Sequence, residues 1–139
     1  MATYVAERLV EFRDTDAAGM MHFSSYFPYM ESVEHAFLRS LGWSVVCEDE
    51  QGKLSWPRVS AQCDYVGPAK FEDVLSIELS IGRIGAKSVT YRFEFRLRDR
   101  VVARGQITAV CCRMTAEGPV GVPIPEPLVE QLRPYVAAD

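Results

Sequence analysis

The order of hydropathy periods along this chain of 139 residues predicts an α+β domain in which a five-stranded antiparallel sheet wraps around one long central helix. Three observations carry that expectation. Residues 26 to 41 repeat apolar side chains at helical spacing, the second half of the chain repeats them with a period of two, and the helix stands alone among the strands. A single helix with a wide apolar face, beside strands that are each apolar on one side, is most simply buried by folding the sheet around it. The length suits one domain, spanning residues 1–139 with a single core.

The elements follow in order. Residues 3 to 12 alternate weakly and read as a first strand. In the helix, Phe23, Tyr26, Phe27, Met30, Val33, Phe37, Leu38 and Leu41 fall on one side, with Ser32, His35 and Arg39 opposite. Pro28 is tolerated only in a first helical turn, which makes Ser25 the expected N-cap and Tyr26 the first helical residue. Gly42 closes the helix. Glu34 falls near the middle of the apolar stripe, so it is expected either to be paired or to face a partner subunit. "LSWPRVSAQCDYV" reads as the second strand, with Pro57 near its start, where a missing amide does least harm.

"DVLSIELSIG" alternates through Leu75, Ile77, Leu79 and Ile81, and "KSVTYRFEFRLRD" puts Val89, Tyr91, Phe93, Phe95 and Leu97 on one face. "GRIGAK" between them supplies a hairpin connection. Asp99 and Arg100 turn the chain into "VVARGQITAVCCRMT", apolar on both faces and therefore expected in a more central place. These three strands make a meander. "PIPEPLVEQLRPYVAAD" is a proline-broken tail with room for a short helix from 127 to 132. A sheet of this kind keeps one face and one edge exposed, which predicts pairing with a second copy.

Composition narrows the function. With 15 basic against 19 acidic residues, a net charge of −4 argues against nucleic acid and against a polybasic membrane surface. No stretch approaches the roughly 20 apolar residues of a membrane span, and "MATYVAERLVEF" mixes charge with apolar residues where a signal peptide would be uniformly apolar. A cytoplasmic protein is expected. Cys47, Cys63, Cys111 and Cys112 form no C-x-x-C pair, and only His22 and His35 are available beside them. Free, mostly buried thiols and no metal are the expectation.

"FRDTDAAGMMHF" is the stretch with chemical content. Gly19 removes side-chain bulk just ahead of the helix, and the amides of residues 19 to 26 are not all consumed by helical hydrogen bonds. Such a helix start offers N–H donors to an anion or a developing oxyanion. Asp14 and Asp16 stand within reach of it. From the residues alone two readings remain open: an Asx-turn, and a carboxylate poised to attack an acyl carbon or to draw a proton from water. There is no G-x-S-x-G and no phosphate-binding glycine loop.

"EFRDTDAAGMMHFSSYFPYMESVEHAFLRSLG", followed by "DYVGPAKFEDVL", resembles the hotdog-fold acyl-CoA thioesterases of the 4-hydroxybenzoyl-CoA thioesterase family over most of the chain. The resemblance implies hydrolysis of an acyl-CoA thioester to free acid and CoA, with Asp16 as nucleophile or general base. It implies that helix-start amides, Gly19 and Phe23 among them, polarise the carbonyl, while Asp14 is structural. Some relatives carry a histidine at the position of Phe23, whereas here histidine stands one place earlier.

Met20, Met21, His22, Tyr26 and Glu31 are candidate substrate contacts, Glu31 matching an acid that orients the loop or a neighbour. Arg83, Lys87 and Ser88 are candidates for the CoA phosphates, because the family uses that hairpin and the partner subunit to hold the nucleotide; as residues alone they read as solvated hairpin positions. The resemblance further implies a homodimer, with a tetramer built as a dimer of dimers as the alternative, and no cofactor. Acyl-carrier protein is the other candidate acyl bearer. A hotdog dehydratase or hydratase and a non-catalytic acyl-binding protein are the competing functions.

Overall fold

A computed structural model describes residues 1–138. In chain order the elements are β1 (Tyr4–Leu9), α1 (Tyr26–Ser40), β2 (Cys47–Asp49), β3 (Gly52–Ser55), β4 (Arg58–Tyr65), β5 (Val74–Ile84), β6 (Ser88–Leu97), β7 (Arg100–Val110), β8 (Cys112–Thr115), β9 (Gly118–Gly121) and α2 (Glu126–Leu132). The main sheet is antiparallel with five strands in the order β1-β5-β6-β7-β4. The meander is its centre, and β7 lies inside it. β1 and β4 are the edges.

Two of the strands read from the sequence are each two strands. Pro57 interrupts the second of them: it has no amide to donate, while its carbonyl accepts from the Val110 amide at 3.0 Å. Cys111 interrupts the last, its amide bonding the Lys87 carbonyl at 2.6 Å. The severed pieces β3 and β8 join β2 and β9 in a second sheet ordered β2-β3-β8-β9.

Helix α1 lies on the main sheet with Met30, Val33 and Phe37 fully buried. Its close approach depends on Gly105 in β7, where an added Cβ would collide with the Met30 thioether. Phe37 packs on Tyr4, Tyr91 and Tyr135 at ring separations of 5.6, 6.4 and 4.8 Å, so the C-terminal segment caps the core. The helix ends as its sequence indicates: Gly42 has φ +84°, its amide reaches the Arg39 carbonyl and the Trp43 amide reaches Leu38. Trp43 then donates to Gln131 at 2.6 Å, and Gln131 donates to the Leu41 carbonyl at 2.8 Å, fastening α2 to that end.

Glu34, 1 % exposed on the sheet-facing side of α1, is paired. Arg58 Nη1 donates to its Oε2 at 2.9 Å, and Nη2 stands 2.8 Å from Oε1 without hydrogen-bond alignment. The same guanidinium reaches Glu31 at 3.4 Å. Burial pushes the Glu34 carboxyl above its ordinary range, and the Arg58 charge opposes that shift. All four cysteines are free thiols: Cys111 and Cys112 are buried, Cys47 and Cys63 half-buried. Among the described residues no helix is long and apolar enough to cross a membrane.

Candidate active site

Between β1 and α1 the chain makes two 3-10 turns, Phe12–Asp14 and Phe23–Ser25, on either side of an aspartate turn. Asp14 fastens them through one carboxylate oxygen and its carbonyl. Its Oδ2 accepts from the Glu11 amide at 3.2 Å and lies 2.5 Å from the Tyr29 hydroxyl, which also reaches the Leu9 carbonyl at 2.9 Å. Its carbonyl accepts from the His22 amide and the Ser25 hydroxyl. Burial and the adjacent Asp14 carboxylate hold the Tyr29 phenol well above its ordinary range. Asp14 ties the end of β1 to the first turns of α1.

Asp16 is placed differently. Its Oδ1 accepts from the amides of Ala18 at 2.9 Å and Met20 at 3.2 Å, which fixes the side chain. Its Oδ2 has no partner among the described residues. The turn closes because Gly19 adopts φ +79°, a left-handed conformation that any side chain would strain. Gly19 thereby loses the role expected of it: its amide bonds the Asp16 carbonyl at 3.0 Å and is not a free donor.

Helix α1 starts at Tyr26 with Ser25 in the N-cap position, as the sequence indicates. Ser25 gives no side-chain cap, because its hydroxyl is turned to Asp14. His22 caps the 3-10 turn instead, its Nδ1 accepting from the Ser24 amide at 3.2 Å. The first amide of that turn, Phe23 N–H, has no partner among the described residues, as the geometry of a helix start allows.

Asp16, Met20, Met21, Phe23 and Tyr26 line one side of a cleft of about 430 Å³. Tyr65 and residues 66–69 form the other. That wall is held by the Val66 and Gly67 amides on the Val102 carbonyl, by the Met21 amide on the Ala69 carbonyl and by Arg100 on the Pro68 carbonyl. Tyr26 is 3 % exposed, its ring edge-on between Tyr65 and Phe95 at 5.1 and 5.2 Å. Burial pushes its hydroxyl up to about 12, which keeps it a neutral donor. No described residue hydrogen-bonds that hydroxyl. The Tyr65 hydroxyl donates to the Phe23 carbonyl at 2.7 Å.

The structure therefore joins Asp16, Phe23, Met20, Met21 and Tyr26 and separates the others. His22 serves as a cap, and Glu31 stands with Arg58 along a groove between α1 and β4. Arg83, Lys87 and Ser88 lie around the β5–β6 turn, nine residues along β5 from Val74 to Arg83 and so about 30 Å from the cleft end of the sheet. Sequence reasoning missed Tyr65 and residues 66–69 as cleft walls, although "DYVGPAKFEDVL" carries part of the family resemblance. Among the described residues no histidine lines the cleft. No cluster of three metal-ligating side chains occurs among the described residues.

A sheet curled around one helix, with an aspartate turn and an unpartnered amide at the helix start, is a hotdog fold of the thioesterase kind. The chain belongs to the thioesterase-like superfamily, whose family profile matches residues 10–132. It is similar to a 1,4-dihydroxy-2-naphthoyl-CoA hydrolase of Synechococcus elongatus, 29% identical over 136 residues that cover 96% of this chain and 97% of the relative. It is also similar to an acyl-CoA thioesterase of Haemophilus influenzae, 26% identical over 116 residues, covering 82% and 84%. Among solved structures, the gentisyl-coenzyme A thioesterase BH1999 superposes with a TM-score of 0.78 at 29% identity, over 91% of this chain and 99% of that one. The protein is a thioester hydrolase.

Proposed function

We propose that this protein hydrolyses an acyl-CoA thioester to a free acid and CoA at the Asp16 cleft. One observation carries the reading: Asp16 is locked by Oδ1 while Oδ2 stays free, on the wall of a mostly apolar cleft that also contains the unpartnered Phe23 amide. The acyl group lies among Met20, Met21, Tyr26 and Tyr65, and the thioester carbonyl takes the Phe23 N–H. Asp16 then acts in one of two ways. As a nucleophile, its Oδ2 adds to the carbonyl carbon, expels the CoA thiolate and leaves a mixed anhydride that water cleaves. As a general base, it takes a proton from the water that attacks the same carbon.

The relatives named for naphthoyl and gentisyl thioesters, together with the rings of Phe23, Tyr26 and Tyr65, support a planar aromatic acyl group. The unpartnered Tyr26 hydroxyl suits an oxygen on that group. Thiol release from aromatic, short-chain and long-chain acyl-CoA, compared as kcat/KM, tests the reading. Highest kcat/KM with an oxygen-bearing aryl thioester is expected; a preference for long aliphatic chains contradicts the aromatic assignment, and no thiol release from any of them leaves an acyl-binding protein without turnover.

The working unit is a homodimer in this reading. Edge strand β4 runs for eight residues with no lysine and no proline inside it, and Val59 and Tyr65 on it are 63% and 46% exposed. An edge strand with these exposed apolar side chains suits pairing with a second copy. A dimer also gives Arg83, Lys87 and Ser88 a use, since a hairpin remote from its own cleft can hold CoA phosphates only at a partner's.

A further inference from the structure

We infer that Tyr65 is a positioning residue, holding the Phe23 amide in place through the Phe23 carbonyl; the inference rests on the thioesterase reading above. Phe23 is 63% exposed, and its 3-10 turn is otherwise held by the Ser25 amide on the His22 carbonyl, the Ser24 amide on the His22 ring, and the His22 amide and Ser25 hydroxyl on the Asp14 carbonyl. Tyr65 supplies a long-range restraint. It is the last residue of β4, directly opposite Ala103 of β7, and its hydroxyl reaches 42 residues back along the chain to the Phe23 carbonyl at 2.7 Å. The strut runs from the main sheet to the turn that bears the unpartnered amide.

The ring and the hydroxyl of Tyr65 do separable things. The ring packs edge-on against Tyr26 at 5.1 Å and forms part of the cleft wall, which sets how the acyl group binds. The hydroxyl bonds the Phe23 carbonyl, and Tyr65→Phe removes that bond while keeping the ring. An oxyanion donor is worth about 10² to 10³ in kcat when removed outright, so loosening one costs about tenfold. The effect belongs in kcat, because the donor acts mainly on the charge that develops in the transition state.

The test is the Tyr65→Phe protein in full-length form, with its kinetics on the best acyl-CoA of the panel, its melting temperature and the exchange rates of the Phe23 and Ser24 amides by NMR. The expected result is kcat lower by about tenfold, KM within about twofold, a melting temperature within about 2 °C and faster exchange at those two amides. Unchanged kcat, or a raised KM at unchanged kcat, makes Tyr65 a wall residue only and overturns the inference. So does a loss of kcat that tracks a loss of folded protein. If the parent protein releases no thiol from any acyl-CoA, the thioesterase reading fails by itself, and the amide exchange still decides whether Tyr65 restrains the turn.

Discussion

Replacing Arg58 by alanine leaves the Glu34 carboxylate buried at 1 % exposure with no cation beside it. Arg58 holds Glu34 by a hydrogen bond of 2.9 Å and an ion contact of 2.8 Å. Breaking a buried pair from one side costs about 3–5 kcal/mol, since the stranded charge keeps its desolvation penalty. At about 4 °C per kcal/mol, where the ranges for smaller and larger domains meet, the melting temperature falls by about 12–20 °C. The opposite deletion is milder. In Glu34→Gln the guanidinium, a quarter exposed, keeps water and Glu31 at 3.4 Å, so the loss stays near 1–2 kcal/mol. Changing both residues to leucine removes both desolvation penalties and returns stability toward that of the parent.

The pH dependence has a definite sign. Burial raises the folded carboxyl above 4.5 even with Arg58 present, so the native state binds protons more readily than the unfolded chain. Stability from this group is complete below that unfolded value and is lost as pH rises through the folded one. Without Arg58 the folded value rises further and the loss deepens. Thermal unfolding at one protein concentration between pH 5 and pH 8 checks this: the gap between Arg58→Ala and the parent widens with pH. A gap that is constant across the range, or below about 1 kcal/mol, refutes the reasoning.

Two further outcomes follow from the packing. Gly105→Ala forces a methyl into the Met30 thioether and should cost about 1–3 kcal/mol in chemical unfolding, with part of the loss recovered when Met30 is shortened as well. Sedimentation at micromolar concentration should show twice the 15.6 kDa chain mass, and a charged substitution at exposed Val59 on the β4 edge should drive the species toward the monomer; a monomer in the parent protein contradicts the shared use of the β5–β6 turn.

The central helix and the meander were readable because each is long enough for its period to repeat: α1 runs 15 residues and β5 to β7 run 10 or 11. The second sheet was not, because strands of three or four residues show too little of a period, and Pro57 sits inside what reads as one apolar run. Asp16, Met20, Met21, Phe23 and Tyr26 come together because they are close in sequence at the helix start. Tyr65 does not announce itself, since its contact with Phe23 crosses 42 residues from an exposed strand end. The amide at Gly19 was misassigned for a related reason: its availability depends on how the turn closes, and that is decided by φ at Gly19 and by the Asp16 carbonyl rather than by residue type.

The decisive measurement is kcat of Asp16→Asn for thiol release from the best acyl-CoA, beside Asp14→Asn as the matched control. Asparagine keeps an oxygen to accept from the Ala18 and Met20 amides, so the turn and the melting temperature stay close to the parent's. With Asp16 as base or nucleophile, kcat falls by a factor on the order of 10² to 10⁴, while Asp14→Asn, which weakens only the tie to Tyr29 and Glu11, retains much more activity. Near-normal turnover in folded Asp16→Asn removes the residue from the chemistry, and equal losses at both aspartates with unfolding make the motif a turn and nothing more.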